Sequence, residues 1–274
     1  MTQRAQKTRF EEFDAWFWMN SHKEFCEQSS NFCPLFAKNS RVLKYVRLFG
    51  FICSSILILL LWYNAGFDIA VFKFFTVWGI YATLACYAAG TWIAFHQSED
   101  AVFDEAQKHN LFCAWKIYIF MFEIAVSIEI VITLVFWLLL WEEAKNHPFY
   151  EPPMRKLGLV LDHGLPIVIL TLDYVVNATP IICRHLLIIA IICLFYLFVN
   201  FYATKMQGFP VYGPMSWDSV TAVLFALALW AFGASAFLVL YKLNLRKLKF
   251  YGSFEHRHNR IVEICSGNLN SFAN

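Results

Sequence analysis

The sequence predicts an all-α fold: a polytopic membrane protein with six transmembrane helices. Of its 274 residues, 59% are hydrophobic and 15% are charged, which is too apolar for an ordinary soluble domain of this length. Six apolar stretches approach the roughly 20 residues that cross about 30 Å of hydrocarbon. Lys and Arg residues gather beside the first and last stretches, as they do beside membrane spans.

The six predicted spans are separated by short polar connections. They cover residues 46–63, 74–95, 115–141, 157–177, 185–202 and 217–243. A turn before Gly66 ends the first span, and Trp115 and Trp141 bracket the third at positions that suit the two membrane interfaces. A loop broken by three prolines precedes the fourth span, and Pro180 precedes the fifth.

The chain therefore divides into an N-terminal arm (1–45), a six-helix bundle (46–243) and a basic polar tail (244–274). An even number of spans places the arm and the tail on the same side of the membrane. The Lys and Arg residues of both flanks predict that this side faces the cytosol, or the matrix in a mitochondrial inner membrane. The mitochondrial inner membrane, the endoplasmic reticulum and the plasma membrane all remain open.

Ionisable residues inside the third and fourth spans are the first candidates for function, because such groups are expensive within a membrane. Asp162 and Asp173 are eleven residues apart, close to three helical turns, so they share a face that we expect to point into the bundle. Glu123 and Glu129 are six residues apart and point to different faces. At most one of these glutamates can line a cavity with the fourth helix.

A polar layer is predicted near the membrane face opposite the termini. The second and fourth helices enter from that face, which places Thr76 and His163 at similar depths, and the fifth helix brings Tyr196 and Asn200 toward them. The residues predicted to form this layer and to contact lipid are Asp162, Asp173, Glu129 and Asn200. Thr76 can also simply bond its own backbone, and His163 can be an interhelical hydrogen-bond residue.

The predicted partners are membrane lipids and other subunits of a membrane complex. The arm carries an aromatic stripe that includes Phe10, Phe13 and Phe17, and the tail carries charged residues, both of which suit docking on neighbouring proteins. The formal net charge is only +2, without a basic face, which argues against nucleic acid as a partner. No cofactor and no metal site are expected.

Four short segments, in this order and spacing, resemble the androgen-induced and rolling stone-like membrane proteins. They are KFFTVW at 73–78, VFW at 135–137, DHG at 162–164 and GFPVY at 208–212. The resemblance spans residues 46–243 and implies a six-helix membrane fold. For the androgen-induced branch it also implies a threonine hydrolase that acts on branched fatty-acid esters with a histidine as its partner.

Within this resemblance the nucleophile falls on Thr76, but the histidine position falls on Pro166. A proline side chain cannot act as a base, so activation of Thr76 would need His163, one helical turn earlier on a similar face.

The sequence therefore favours a non-catalytic accessory or scaffolding subunit with a degenerate hydrolase-like core. The alternatives are a lipid-ester hydrolase that uses Thr76 with His163, and a proton or ion conductor that uses the four intramembrane carboxyl groups.

Overall fold

The computed structural model describes residues 40–96, 105–177 and 179–270. The predicted N-terminal arm lies outside the described residues except for its last six, which belong to the first helix. Within the described part of the chain the structure is helical, and six of its helices are long and apolar enough to span a membrane. The predicted all-α, six-span fold is thus confirmed.

The helices follow the order of the predicted spans. Helix α1 is Ser40–Ala65, and a 3-10 turn, Ile69–Lys73, leads into α2, Phe75–His96. Helix α3 is regular over Glu105–Val135, widens into a π turn over Phe136–Leu140 and returns to α geometry over Trp141–Lys145. The remaining helices are α4, Pro153–Val176; α5, Leu186–Gln207; and α6, Val220–Asn270.

The largest departure from the predicted boundaries is at α6. The sequence predicts a span that ends at 243, followed by a polar tail, whereas the helix continues without a break to Asn270. At 1.5 Å per residue its 51 residues extend for about 75 Å, more than twice the hydrocarbon thickness. The segment from 220 to 270 contains no proline, the residue that most effectively ends a helix.

Helices α1 to α4 pack as one group, and α5 and α6 form a pair that joins this group mainly where α6 meets α3. Glycines allow close approach inside the first group: a Cβ at Gly50 would lie 2.2 Å from the Tyr87 ring, and one at Gly90 would lie 2.9 Å from the Tyr118 ring. Small residues at helix contacts are typical of membrane bundles. They bring α2 close to both α1 and α3.

The outer surface of the bundle carries many large hydrophobic side chains. Leu59, Leu187 and Phe198 are each more than 60% exposed, and many other large hydrophobic side chains face outward. Polar residues such as Glu123, Glu129 and Asp173 are instead fully buried. This distribution suits a protein whose surroundings are lipid.

The terminal side of the bundle is the end where α1 begins, and the distal side is the opposite end.

Candidate functional site

Thr76 is the second residue of α2, at the distal side, and the preceding turn is fixed from two directions. Asp68 caps the 3-10 turn by accepting a hydrogen bond from the Ala70 amide at 2.9 Å. The Tyr212 hydroxyl accepts the amide hydrogen of Phe75 at 2.9 Å, and the Tyr196 hydroxyl donates to the Lys73 carbonyl at 3.0 Å. These bonds satisfy backbone groups that the start of a helix leaves open. They also fix the position of Thr76.

The hydroxyl of Thr76 lies 3.0 Å from His163 Nε2. The other ring nitrogen, Nδ1, lies 2.8 Å from the Leu159 carbonyl, which can only accept, so Nδ1 carries the hydrogen. In the neutral imidazole this leaves Nε2 with a lone pair that accepts the Thr76 proton. A hydroxyl, an imidazole nitrogen that can accept its proton and a carbonyl that orients the imidazole are thus aligned, as they are in sites for covalent catalysis.

The π turn of α3 positions the imidazole of His163. The Phe136 ring stacks on it with 3.6 Å between ring centroids and 16° between planes. Thr133 Oγ1 and Trp137 Nε1 donate to the His163 carbonyl at 3.2 and 3.3 Å. The extra residue of a π turn changes the direction in which neighbouring side chains point, and such turns often occur at functional sites.

Pro166 is buried within α4 and has no amide hydrogen for the carbonyl of Asp162, four residues earlier. The position that the family resemblance gives to the catalytic histidine is therefore a structural proline. The contact with Thr76 is made instead by His163, the residue that the sequence offered as a substitute base.

The Thr76–His163 pair opens onto an apolar cavity between α2, α3, α5 and α6. The cavity has a volume of about 90 Å³, several times the ~10–15 Å³ that a cavity needs in order to hold one water molecule. Its wall includes Ile128, Val135, Ile189, Leu197 and Met215, together with Thr76 and His163. Such a space suits a hydrocarbon chain better than a polar ligand.

Two tyrosines add polar groups near the mouth of this cavity. Tyr212 lies in the loop between α5 and α6, and burial raises the pKa of its phenol, while hydrogen bonds with Tyr196, Thr76 and the Phe75 amide act in the opposite direction. The phenol therefore stays protonated near neutral pH and can donate a hydrogen bond.

Asn200 belongs to the same distal region. Its amide nitrogen lies 3.4 Å from the Tyr196 hydroxyl, and its oxygen accepts from Trp217 Nε1 at 2.8 Å. Trp217 has a left-handed backbone, with φ of 62°, which is costly for a bulky residue and fits a position held by side-chain contacts. Asn200 therefore supports the wall beside the site.

Two further carboxyl groups, those of Glu129 and Asp162, interact electrostatically with each other. Glu129 is fully buried, and no hydrogen bond from the described residues reaches either of its carboxyl oxygens. Its Oε1 occupies the space left by Gly79 of α2, where a Cβ would lie 2.2 Å away. Asp162 interacts electrostatically with Glu129, and its Oδ1 likewise has no hydrogen-bond partner in the described part of the chain.

Asp173 does not belong to the distal layer, and this corrects the prediction of one polar layer. It lies at the terminal side, 3.9 Å from Arg47 Nε, and accepts a hydrogen bond from the Tyr118 hydroxyl at 2.9 Å. The Asn177 amide donates to the Tyr118 hydroxyl at 3.2 Å. The eleven residues between Asp162 and Asp173 correspond to about 16 Å along the helix, so a shared face does not give a shared depth.

Glu123 also lies at the terminal side. Its carboxylate accepts the amide hydrogen of Ile182 at 2.6 Å and pairs with His185 Nδ1. The two glutamates of α3 thus point in different directions, Glu123 toward the start of α5 and Glu129 toward α2 and α4.

Three important residues were not identified as site residues from the sequence. The sequence predicts Arg47 only as one of the flanking charges, yet it is a buried partner of Asp173. Phe136 and Tyr212 enter the prediction only as members of the VFW and GFPVY segments, whereas they contact His163 and the Phe75 amide. The presence of these two segments in the resemblance was the signal available.

Fold and site together define a helical integral membrane protein with a threonine–histidine pair beside an apolar cavity. No family model, curated protein or solved structure matches the chain. Its resemblance to the androgen-induced and rolling stone-like proteins stays a prediction. Among the described residues, no three His, Cys, Asp or Glu side chains are grouped so that they could hold a metal ion.

Proposed function

We propose that this protein is an integral membrane hydrolase of lipid esters, with Thr76 as nucleophile and His163 as general base. The observation that carries the proposal is the 3.0 Å contact between Thr76 Oγ1 and the unprotonated Nε2 of His163. The apolar wall of the adjoining cavity supports an acyl chain as the part of the substrate that binds there.

The proposed reaction follows the logic of covalent acyl transfer. Thr76 Oγ1 attacks the ester carbonyl carbon while Nε2 of His163 takes the hydroxyl proton. The bond between the carbonyl carbon and the alcohol oxygen then breaks, and His163 returns the proton to that oxygen. Water attacks the resulting threonyl ester with His163 again as base. The fatty acid leaves and the threonine hydroxyl is restored.

Two further groups have defined roles in this proposal. The Leu159 carbonyl holds the Nδ1–H tautomer of His163, the part that a carboxylate plays in many catalytic triads. The Tyr212 hydroxyl, which interacts with Thr76, remains a donor because burial raises the pKa of the phenol. It is the described group best placed to donate to the negatively charged oxygen of a tetrahedral intermediate.

The test is covalent labelling of purified protein with a long-chain fluorophosphonate, a probe that reacts with activated hydroxyl nucleophiles. We expect labelling of the unmodified protein at Thr76, its loss in Thr76→Ala and in His163→Gln, and its retention in Thr76→Ser. Thr83→Ala is a matched control, because Thr83 lies two turns further along α2, is fully buried and does not line the cavity. Labelling that persists in Thr76→Ala would contradict the proposal.

A second candidate function is that of an accessory subunit of a larger membrane complex, which the sequence favoured. The observation in its support is the length of α6, which continues about 20 residues beyond its membrane-spanning part, Val220–Phe250. A helix that projects about 30 Å from the bundle can dock on a neighbouring protein.

This candidate predicts that a defined assembly purifies with the protein in mild detergent. The assembly should persist in Thr76→Ala and be lost when residues 251–274 are removed. If the truncated protein retains the same partners, α6 does not dock them.

A further inference from the structure

We propose, on the basis of the hydrolase function above, that the ester reaches Thr76 sideways from the bilayer between α2 and α5. Trp78 and Phe195 form the gate at this seam. The substrate class is then an ester that is dissolved in the membrane and carries a long acyl chain.

The first support is the way in which α5 is held. This helix packs along α6, and it contacts α2 through aromatic side chains rather than through close backbone packing. The ring centroids of Phe75 and Tyr196 are 4.3 Å apart, those of Trp78 and Tyr196 are 5.5 Å apart, and those of Trp78 and Phe195 are 6.0 Å apart. The wall between cavity and lipid is therefore made of rings at this seam.

These four rings form an inner and an outer layer. Phe75 and Tyr196 line the cavity, whereas Trp78 and Phe195 do not. Phe195 is 56% exposed and Trp78 is partly exposed, so the outer layer faces the region that lipid tails occupy. Side chains can change rotamer without breaking a helix, which makes a wall of rings easier to open than a wall of packed backbone.

The other seams around the cavity are more firmly closed. Between α3 and α4, Thr133 and Trp137 both bond the His163 carbonyl. Between α5 and α6, Trp230 Nε1 donates to the Ala190 carbonyl at 2.9 Å. Between α3 and α6, Gly233 lies against Val131. Opening any of these seams would require two packed helices to separate, whereas the seam between α2 and α5 opens by rotation of the Phe195 and Trp78 side chains, at the cost of one bond within the α2 region, from Trp78 Nε1 to the Phe72 carbonyl.

The depth of the gate follows from two hydrogen bonds. Tyr196 donates to the Lys73 carbonyl, which ties the distal end of the seam between α2 and α5. Trp78 lies nearly one and a half turns deeper than Lys73, and its Nε1 donates to the Phe72 carbonyl at 2.8 Å. The part of the seam beyond this tie begins at Trp78, inside the candidate membrane span Phe75–His96, so an acyl chain can enter there from the bilayer.

A second route remains for small molecules. The cavity wall also includes Pro214, which is exposed in the distal loop, so a short ester can arrive from the aqueous side past Tyr212. The gate is therefore expected to matter for long chains and not for short ones.

The test is to lock the gate and compare two substrates. Trp78→Cys and Phe195→Cys are combined with Cys193→Ala, which removes a cavity thiol, and the protein is placed in phosphatidylcholine vesicles and treated with a bifunctional thiol reagent. We expect hydrolysis of a 16-carbon nitrophenyl ester to fall at least about tenfold on cross-linking. Hydrolysis of nitrophenyl acetate should stay within about twofold. The two variants that carry only one of the introduced cysteines, treated alike, should keep both rates, which also controls for reaction of the reagent with the seven native cysteines that remain.

Equal loss of both rates, or loss of neither, would overturn the gate while leaving the hydrolase function standing. Absence of both activities before cross-linking, together with absent fluorophosphonate labelling, would overturn the hydrolase function itself. A second variant tests the gate without cross-linking. Phe195→Ala should raise the rate with bulky branched-chain esters at least about threefold, while Phe198→Ala, which removes a lipid-facing ring one turn away, should leave that rate unchanged.

Discussion

The polar groups at the two ends of the bundle differ in their surroundings. At the terminal side, Asp173 meets Arg47, Tyr118 and Asn177, and Glu123 meets His185 and the Ile182 amide, with every one of these carboxyl oxygens engaged. At the distal side, Thr76 and His163 are only partly buried and border an apolar cavity. At the first end a polar network holds the carboxyl groups, although Arg47 Nε and Nη1 have no hydrogen-bond partner in the described part of the chain. At the second end a hydrogen-bonded polar pair borders a cavity.

This difference separates two uses of polar residues in a membrane. The terminal network joins α1, α3 and α4 to the segment before α5, and Asn244 of α6 extends it through bonds to the Ile181 amide and the Thr179 carbonyl. The hydrogen bonds of this network satisfy backbone groups at places where helices end and irregular chain is buried. The distal pair instead has one donor and one acceptor aligned beside a space that a substrate can fill. Stability and chemistry are thus expected to respond to different mutations.

The largest expected effect on stability is from Asp173→Ala. It leaves the Arg47 guanidinium buried without its carboxylate, which costs about 3–5 kcal/mol for a buried ion pair. Unfolding in mixed detergent and SDS, followed by tryptophan fluorescence, measures this loss. Fluorophosphonate labelling per folded molecule should not change, because His163 lies about 15 Å from Asp173 along α4.

The matched control for this prediction is a double variant, Arg47→Met with Asp173→Leu. Removing both charges together should restore most of the stability, because no ion is left buried alone. If Asp173→Ala costs less than about 1 kcal/mol, the terminal network is not the structural element described above.

Glu129 differs from the buried carboxyl groups of the terminal side, because neither of its oxygens receives a hydrogen bond from the described residues. Gly79→Ala would place a Cβ 2.2 Å from Glu129 Oε1 and 2.7 Å from Ile132 Cδ1, so we expect a loss of about 1–3 kcal/mol from overpacking. The same SDS unfolding assay measures it.

Two controls accompany this substitution. A Cβ added at Gly164 would have no neighbouring atom within 4 Å, so Gly164→Ala should leave the stability unchanged or raise it slightly, because alanine favours a helix. In the Glu129→Ala variant, Gly79→Ala should lower the free energy of unfolding by clearly less than it does in the unmodified protein. An unchanged cost would mean that Glu129 does not occupy the space beside Gly79.

The sequence predicted the number and order of the spans well, because hydrocarbon thickness and the absence of water constrain apolar stretches strongly. The sequence predicted the boundaries of α6 less well. The helix begins at Val220 rather than at 217, because the backbone of Trp217 is in the left-handed region and Ser219 acts as the N-cap residue, with its Oγ accepting a hydrogen bond from the Ala222 amide. Serine is a preferred N-cap residue, so Ser219 was a signal in the sequence for this boundary.

The candidate site was only partly predictable. Helix direction and rise placed Thr76 and His163 at similar depths, but their contact depends on the rotamers of both side chains and on the π turn at Phe136, which residue spacing does not encode. The pairing of Arg47 with Asp173 was missed for a related reason. A basic residue near a helix start is usually at the membrane interface, and only the packing of α1 against α4 shows that this one is buried.

A smaller effect is expected from Tyr212→Phe, which removes the acceptor for the Phe75 amide and the hydroxyl next to Thr76. We expect a stability loss of about 0.5–1.5 kcal/mol, the usual value for one hydrogen bond, and a drop of about tenfold or more in kcat for ester hydrolysis with little change in KM. A change in KM alone would assign Tyr212 to substrate binding rather than to the transition state.

The pH dependence of this variant has a defined sign. Because burial raises the pKa of the Tyr212 phenol, its stabilising contribution is fully present below the ordinary tyrosine pKa of about 10 and declines above it. The stability difference between the unmodified protein and Tyr212→Phe should therefore be constant near neutral pH and shrink above about pH 10.

The smallest expected effect is from Lys205→Gln, which breaks the pair between Lys205 and Asp218 in the distal loop region. Both side chains are well exposed, so solvent screens their attraction and the pair contributes about 0–1 kcal/mol at most. Unfolding at low and at high salt measures it, and the difference from the unmodified protein should disappear at high salt. Asp173→Ala should keep its effect under the same conditions, because the partner that it leaves behind is buried. A salt-independent loss in Lys205→Gln as large as that of Asp173→Ala would remove the distinction between the two ends of the bundle on which these predictions depend.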